Sequence, residues 1–283
     1  MNYRELYSQL EGVYDAGEAR AVVRLLLEEA FGLSWADVLG GSLERLDSSQ
    51  ERQLTELMSR LQSGEPVQYV VGHAWFCGRR FMVGPGVLIP RPETEELVQW
   101  ILADGVPAGA TLLDIGTGSG CIACTLACEV KDAHVVACDI SDAALDIARQ
   151  NARELGVDVS MMRHDVLSGE PFPLAQLQQA GSVDVVVSNP PYICRHEASS
   201  MEDNVLRHEP HEALFVPDDD ALLFYRAIAQ RAKELLRPGG SIYFEINPDH
   251  ADELKALVSD MGFSHITLHD DQFGRCRMMR VDN

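Results

Sequence analysis

The sequence predicts an α/β protein: a Rossmann-like sheet of seven strands covered by helices, with a small helical domain before it and a β-hairpin linking the two. Three observations predict this. From residue 111 onward, apolar runs of strand length alternate with segments of helical period, the mark of successive βα units. Before about residue 65 only helical spacing is visible. Between the two lies a stretch of alternating residues bounded by Gly and Pro.

The elements follow in order. Residues 20–31 carry Val22, Val23, Leu26 and Leu27 at helical spacing and stop at Gly32. Leu54, Leu57, Met58 and Leu61 make a second apolar face, stopped by Ser63-Gly64 and Pro66. Residues 1–67 are therefore expected to be a helical bundle, with substrate recognition as its role. The period changes from Gln68 to Ile89. Tyr69-Val70-Val71-Gly72 and Trp75-Phe76-Cys77 alternate with small residues, and Arg80-Phe81-Met82-Val83 leads to Gly84-Pro85-Gly86, so a β-hairpin linker is expected over 68–90. It runs into Ile89-Pro90-Arg91-Pro92-Glu93-Thr94-Glu95-Glu96, a stiff arm opening the third domain, 91–283. Thr94 is expected to cap the next helix, Glu95 and Glu96 to suit its positive end, and Arg91 to hold a carboxylate. Strands are expected at 111–115, 135–139, 159–163, 183–188 and 241–246, with helices at 121–129, 142–155, 222–236 and 250–261. Pro238-Gly239-Gly240 should stop the third of these helices, and 266–269 with 276–281 should close the sheet as an antiparallel pair.

Composition narrows the function. The 283 residues are 46% hydrophobic, enough for a substantial core, and carry a formal charge of −21. Such a surface repels phosphate backbones and argues against stable nucleic-acid binding, favouring a protein or small-molecule substrate. No run approaches a membrane helix, so no membrane association is expected. Met1-Asn2-Tyr3-Arg4-Glu5 lacks a basic start and an apolar core, and the seven cysteines read as reduced thiols, so the expected location is cytoplasmic. Cys121, Cys124 and Cys128 share a helix face and are expected to be small buried residues. His208, Glu209, His211 and Glu212 have no metal-ligand frame, so no metal is expected.

Two turns carry the chemistry. Asp114-Ile115-Gly116-Thr117-Gly118-Ser119-Gly120 joins the first βα unit. Its glycines permit a tight turn and close approach of a ligand to the backbone. Gly118-x-Gly120-x-x-Ala123 formally fits a dinucleotide fingerprint, but Asp114 and the tighter glycine spacing point elsewhere. Asp139 ends the second strand, where a carboxylate can accept both hydroxyls of a ribose. Asp165 ends the third, where it could face an adenine amino group, with Val166 lining the pocket. The fourth strand empties into Asn189-Pro190-Pro191-Tyr192. Two prolines end the ladder and stiffen the turn, which presents an amide, carbonyls and a ring at the carboxyl edge of the sheet.

These residues resemble the bacterial protein-(glutamine-N5) methyltransferases, the family acting on peptide chain release factors. The similar segments are Gly64-Glu65-Pro66-Val67-Gln68-Tyr69, Ile89 to Glu95, Asp114 to Gly120, Asn189 to Tyr192, Glu209-Pro210-x-x-Ala213-Leu214 and Asp271-x-x-Gly274-x-x-Arg277. The resemblance implies a class I methyltransferase fold and S-adenosyl-L-methionine as cofactor. It places the cofactor on Asp114, Gly116, Thr117, Gly118, Ser119, Gly120, Asp139, Asp165, Val166 and Asn189. It implies that Asn189, Pro190 and Tyr192 act in catalysis, and that Asn189 to Tyr192, Arg91 and Glu93 meet the substrate, the glutamine of a Gly-Gly-Gln motif in a release factor. A ribosomal-protein glutamine is the nearest alternative. Adenine-N6 methylation is a further one, because Asn-Pro-Pro-Tyr also occurs in enzymes of that class.

Overall fold

A computed structural model describes residues 2–173, 177 and 182–283, which fall into two compact units. The first comprises residues 1–73, 83–85 and 201–209. Its helices are α1 (Tyr3–Ser8), α2 (Ala16–Phe31), α3 (Trp35–Leu39), α4 (Ser48–Gln62), α5 (Val67–Val71) and, from much later in the chain, α9 (Asp203–His208). Side chains cap the longer ones. Asp15 accepts from the amides of Gly17 and Glu18, and Asp47 forms a capping box with Gln50. Leu26, Leu27, Leu54 and Leu61, each nearly or wholly inaccessible, join Val67 and Val70 in one apolar cluster.

Helix α5 corrects the expected hairpin. Val67 to Val71 is rich in β-branched residues, yet it coils into a helical turn starting after Pro66 and ending at Gly72. Burial of Val67 and Val70 in an all-helical cluster outweighs their strand preference. Arg60 completes the turn: its guanidinium pairs with Glu65 at 2.5 Å and donates to the carbonyls of Tyr69 (3.0 Å) and Val70 (3.2 Å). The hairpin itself is shorter, β1 (His73–Phe76) and β2 (Arg79–Met82).

The second unit comprises residues 74–82, 86–200 and 210–283. After α6 (Pro92–Ala103) it alternates β3 (Thr111–Ile115), α7 (Cys121–Glu129), β4 (His134–Asp139), α8 (Asp142–Leu155), β5 (Val159–Arg163) and β6 (Val183–Ser188). The short β7 (Ile193–Cys194) and β8 (Phe215–Val216) pair with each other. Then come α10 (Leu223–Leu235), β9 (Leu236–Glu245), α11 (Ala251–Asp260), β10 (Ser264–Asp270) and β11 (Cys276–Asp282). The main sheet has seven strands in the order β10-β11-β9-β6-β3-β4-β5, with the last two strands of the chain antiparallel as expected. Alternate residues feed two cores. Leu113, Val136, Val186 and Ile242 pack with α10 and α11, while Leu112, Val135, Val185 and Tyr243 pack with α6 and α7. Burial on both faces is why these strands read as continuous apolar runs.

Strand β9 starts five residues before the expected point. Leu236 already pairs with Val183, and the chain then bulges before Ser241 pairs with Val185. Gly240 sits in that bulge, where a Cβ would lie 2.9 Å from the Val183 carbonyl oxygen. Pro238-Gly239-Gly240 therefore shapes a bulge inside a strand rather than a loop after a helix. Cys121 and Cys124 are buried as expected, but Cys128, near the end of α7, is exposed.

Candidate active site

Strand order reverses between β3 and β6, because β4 and β5 extend the sheet on one side and β6 begins the other. Open α/β sheets bind ligands at such a point, beyond the carboxyl ends of the strands. A cavity of about 290 Å³ lies there, lined by residues following β3, β4, β5 and β6 together with 86–91.

The turn after β3 forms one wall. Gly116 and Gly118 have φ of 75° and 54°, and a Cβ on either would meet no atom within 4 Å. Both line the cavity, so the missing side chains leave open backbone facing it. Thr117 and Ser119 also line it. Gly120 does not. With φ at 79°, its Cβ would sit 3.0 Å from the Ala148 Cβ, so this glycine lets α7 approach α8. Asp114 lies behind the turn, 1% exposed, and accepts a 2.6 Å hydrogen bond from the Thr117 hydroxyl. Burial pushes its carboxyl up to about 7, although the Thr117 bond works in the opposite direction.

Asp139 reaches the cavity from the end of β4. Its Oδ2 accepts from the Gly118 amide and its Oδ1 from the Ser141 amide, both at 2.9 Å. The two bonds orient the carboxylate and leave each oxygen a further lone pair for a donor. Asp165 and Val166 line the cavity beyond β5, and Asp165 Oδ1 accepts from the Leu167 amide at 2.9 Å. Ile140 and Leu167 add apolar wall, signalled in sequence only by following these aspartates.

Asn189, Pro190 and Pro191 line the same cavity from the end of β6. Ser188 ties the end of β6 to β3 by donating to the Ile115 carbonyl at 2.6 Å, so the two turns are anchored to each other at their roots. Asn189 donates through Nδ2 to the Thr94 hydroxyl at 3.1 Å, and that hydroxyl donates to Glu245 Oε2 at 2.6 Å. Here the expectation for Thr94 fails. Helix α6 starts at Pro92 with Arg91 as its cap, so Thr94 lies within the first turn and its side chain is taken by Asn189 and Glu245. Glu95 does lie in the first turn of α6, and Glu95 and Glu96 accept from the amides of Cys77 (2.9 Å) and Gln272 (3.1 Å).

Tyr192 and Glu93 are not on the cavity wall, whereas Arg91 is. The Tyr192 hydroxyl donates to Glu245 Oε1 at 3.1 Å, and burial raises both its pKa and that of Glu245. Glu245 is 2% exposed at the end of β9 and was not among the expected site residues. Its signal was present: a carboxylate within Ile242-Tyr243-Phe244-Glu245-Ile246, at the carboxyl end of a strand. Elsewhere, Cys194, His196 and Asp218 bring potential ligand atoms within 4.8 Å of one another, with His196 Nδ1 already 3.0 Å from Asp218 Oδ1.

Comparison with known proteins shows the family. Residues 93–213 match the Methyltransferase small domain and residues 3–72 the PrmC N-terminal domain. The chain is 44% identical to the release factor glutamine methyltransferase of Bacteroides thetaiotaomicron over 96% of each protein. The chain belongs to the release factor glutamine methyltransferase family. The Flavobacterium psychrophilum protein of the same name is 39% identical, covering 99% of this chain and 98% of its own length. A methyltransferase structure from Pyrococcus furiosus, 16% identical, superposes with a TM-score of 0.51 over 83% of this chain and 98% of its own, a likeness of fold. The fold of this family member is the class I fold of S-adenosylmethionine-dependent methyltransferases.

Proposed function

We propose that this protein methylates the side-chain amide nitrogen of the glutamine in the Gly-Gly-Gln motif of peptide chain release factors, using S-adenosylmethionine. The observation that carries the reading is the shared cavity: Asn189-Pro190-Pro191 stands on one wall, the open glycine turn and Asp139 on another. Relatives bearing the release factor name support the substrate.

The residues present suit the cofactor. Gly116 and Gly118 offer a cradle that side chains would fill, Asp139 offers oriented lone pairs for hydroxyls, and Asp165 with Val166 offers a polar edge and an apolar side for a base. When bound there, S-adenosylmethionine supplies the methyl group. An amide nitrogen is a poor nucleophile, because its lone pair is delocalised into the carbonyl. Asn189 Oδ1 and the Pro190 carbonyl accept its two N–H groups and hold the amide in one orientation. Fixed acceptors strengthen as positive charge develops on nitrogen, so they favour the transition state over the ground state. Orientation contributes further, ~7–11 kcal/mol in well-aligned cases. After transfer the nitrogen gives one proton to water, with S-adenosylhomocysteine as the other product, so no strong base precedes the step. Arg91 meets the surrounding peptide from the cavity wall, whereas Tyr192 and Glu93 lie off that wall, Tyr192 with its hydroxyl on Glu245.

We assign substrate recognition to the helices of residues 1–67, the linking role to 68–90 and methyl transfer to 91–283. No described helix is long and apolar enough to cross a membrane, and the described cysteines are free thiols. A cytoplasmic site of action, with no stable binding to nucleic acid or membrane, fits these features and the substrate. The test is mass spectrometry of a release factor after incubation with the protein and S-adenosylmethionine. One added methyl on the Gly-Gly-Gln glutamine is expected; an unmodified glutamine overturns the reading.

A further inference from the structure

The hydrogen bonds behind Asn189 have a direction. A Thr94 hydroxyl has one hydrogen, and it goes to Glu245 Oε2 at 2.6 Å. Thr94 therefore meets Asn189 as an acceptor, and the Asn189 group facing it at 3.1 Å is the Nδ2 donor. That leaves Oδ1 as the acceptor end of the Asn189 amide. Tyr192 donates to the other oxygen of the same carboxylate at 3.1 Å, so Glu245 receives a hydrogen bond on each oxygen. Its surroundings hold it in place. The backbone carbonyl of Glu245 accepts from the buried Tyr225 hydroxyl at 3.0 Å, and Glu93 and Arg277 act on its charge from α6 and β11. Thr94 and Tyr192 each donate to one oxygen of Glu245, so in this arrangement the carboxyl group only accepts.

We propose that Glu245 is a positioning residue that sets the polarity of the Glu245–Thr94–Asn189 chain, so that Asn189 presents Oδ1, not Nδ2, to the substrate amide. This rests on the methylation reading above and deepens it. Without the carboxylate, the Thr94 hydrogen is released to point at Asn189, whose amide then turns. A donor would stand where an acceptor is needed, facing the N–H groups of the substrate. The nearly isosteric Glu245→Gln variant isolates this effect, because its amide can donate where the carboxylate only accepts. Thr94→Val breaks the chain in the middle, and Thr94→Ser restores the hydroxyl.

The experiment measures kcat and KM for a release factor, and Kd for S-adenosylmethionine by calorimetry, in wild type, Glu245→Gln, Thr94→Val, Thr94→Ser, Asn189→Ala and the Glu245→Gln/Asn189→Ala pair. Glu245→Gln and Thr94→Val should each lose kcat roughly tenfold or more with cofactor Kd within about threefold of wild type. Thr94→Ser should keep most of the turnover. In the Asn189→Ala background, Glu245→Gln should cost little more, because the group it orients is gone. Wild-type turnover in Glu245→Gln, or losses that multiply in the double variant, would overturn the proposal. So would equal loss of kcat and cofactor affinity in both Thr94 variants, the pattern of a purely structural role. If Glu245→Gln does not fold, the two Thr94 variants decide. Absence of methyl transfer by the wild-type protein would instead refute the methylation reading, and this proposal with it.

Discussion

At the residue scale, the methylation reading gives Asn189 to the chemistry and Asp139 to cofactor binding. Asn189 stands on the cavity wall with its amide fixed through Thr94, while Asp139, on the same cavity, is held by two backbone amides. Replacing Asn189 by alanine removes one preorganised acceptor. Loss of a single such group typically costs on the order of 10²–10³ in kcat, so steady-state turnover should fall by that order while calorimetric cofactor affinity changes far less. Asp139→Ala should do the reverse. It removes oriented acceptors at the end of β4, and hydrogen bonds to a charged group are worth ~1.5–3 kcal/mol. Calorimetry should show cofactor Kd weakened roughly tenfold or more, and saturating cofactor should recover much of the turnover. Thr94 shows where reading residues one by one runs out. A threonine near a helix start has the composition of a cap, but Glu245, 151 positions later, claims its hydroxyl. No local pattern contains that partner.

At the element scale, the parallel strands were legible because burial on both faces writes apolar runs into the sequence, and Gly116, Asp139 and Asn189-Pro190 close three of them. The turns after β3 and β6 were legible for the related reason that glycine and proline restrict what a chain can do there. Two boundaries were not. Val67–Val71 has strand-forming residues but packs as a helix among helices, and Leu236 joins β9 through a bulge that glycine spacing disguised as a loop. In both, a distant partner surface overrides local preference. Gly120 makes the point in reverse. It reads as one more ligand-facing glycine, yet its place is the contact between α7 and α8. Gly120→Ala would push a methyl against Ala148 at 3.0 Å with φ at 79°, adding overpacking to left-handed strain. Such crowding costs ~1–3 kcal/mol. Urea unfolding should show destabilisation of that order, and an unchanged midpoint would contradict the packing role.

At the scale of the whole molecule, charge sets what the protein meets and how stability responds to pH. A formal charge of −21 repels phosphate backbones, so labelled methyl groups should enter a release factor and leave duplex DNA unlabelled in a filter assay. The same acidity has a focal point inside the fold. Asp114 is buried under the glycine turn with its carboxyl raised from 3.8 to about 7, chiefly by desolvation. A raised carboxyl binds its proton more tightly in the folded chain than in the unfolded one. Its contribution to stability is fully present below the unfolded value and is lost as pH rises through the folded value. Each pH unit in that window is worth up to about 1.4 kcal/mol. Asn at this position keeps the shape and still accepts from Thr117, but it carries no titrating proton. Between about pH 4 and pH 7 the wild type should therefore lose stability relative to Asp114→Asn, measured as diverging urea midpoints. Above that window the gap should stay constant. Curves that run parallel from about pH 4 upward would mean that Asp114 ionises in the folded protein as it does in water, and that the glycine turn stands on a charged carboxylate.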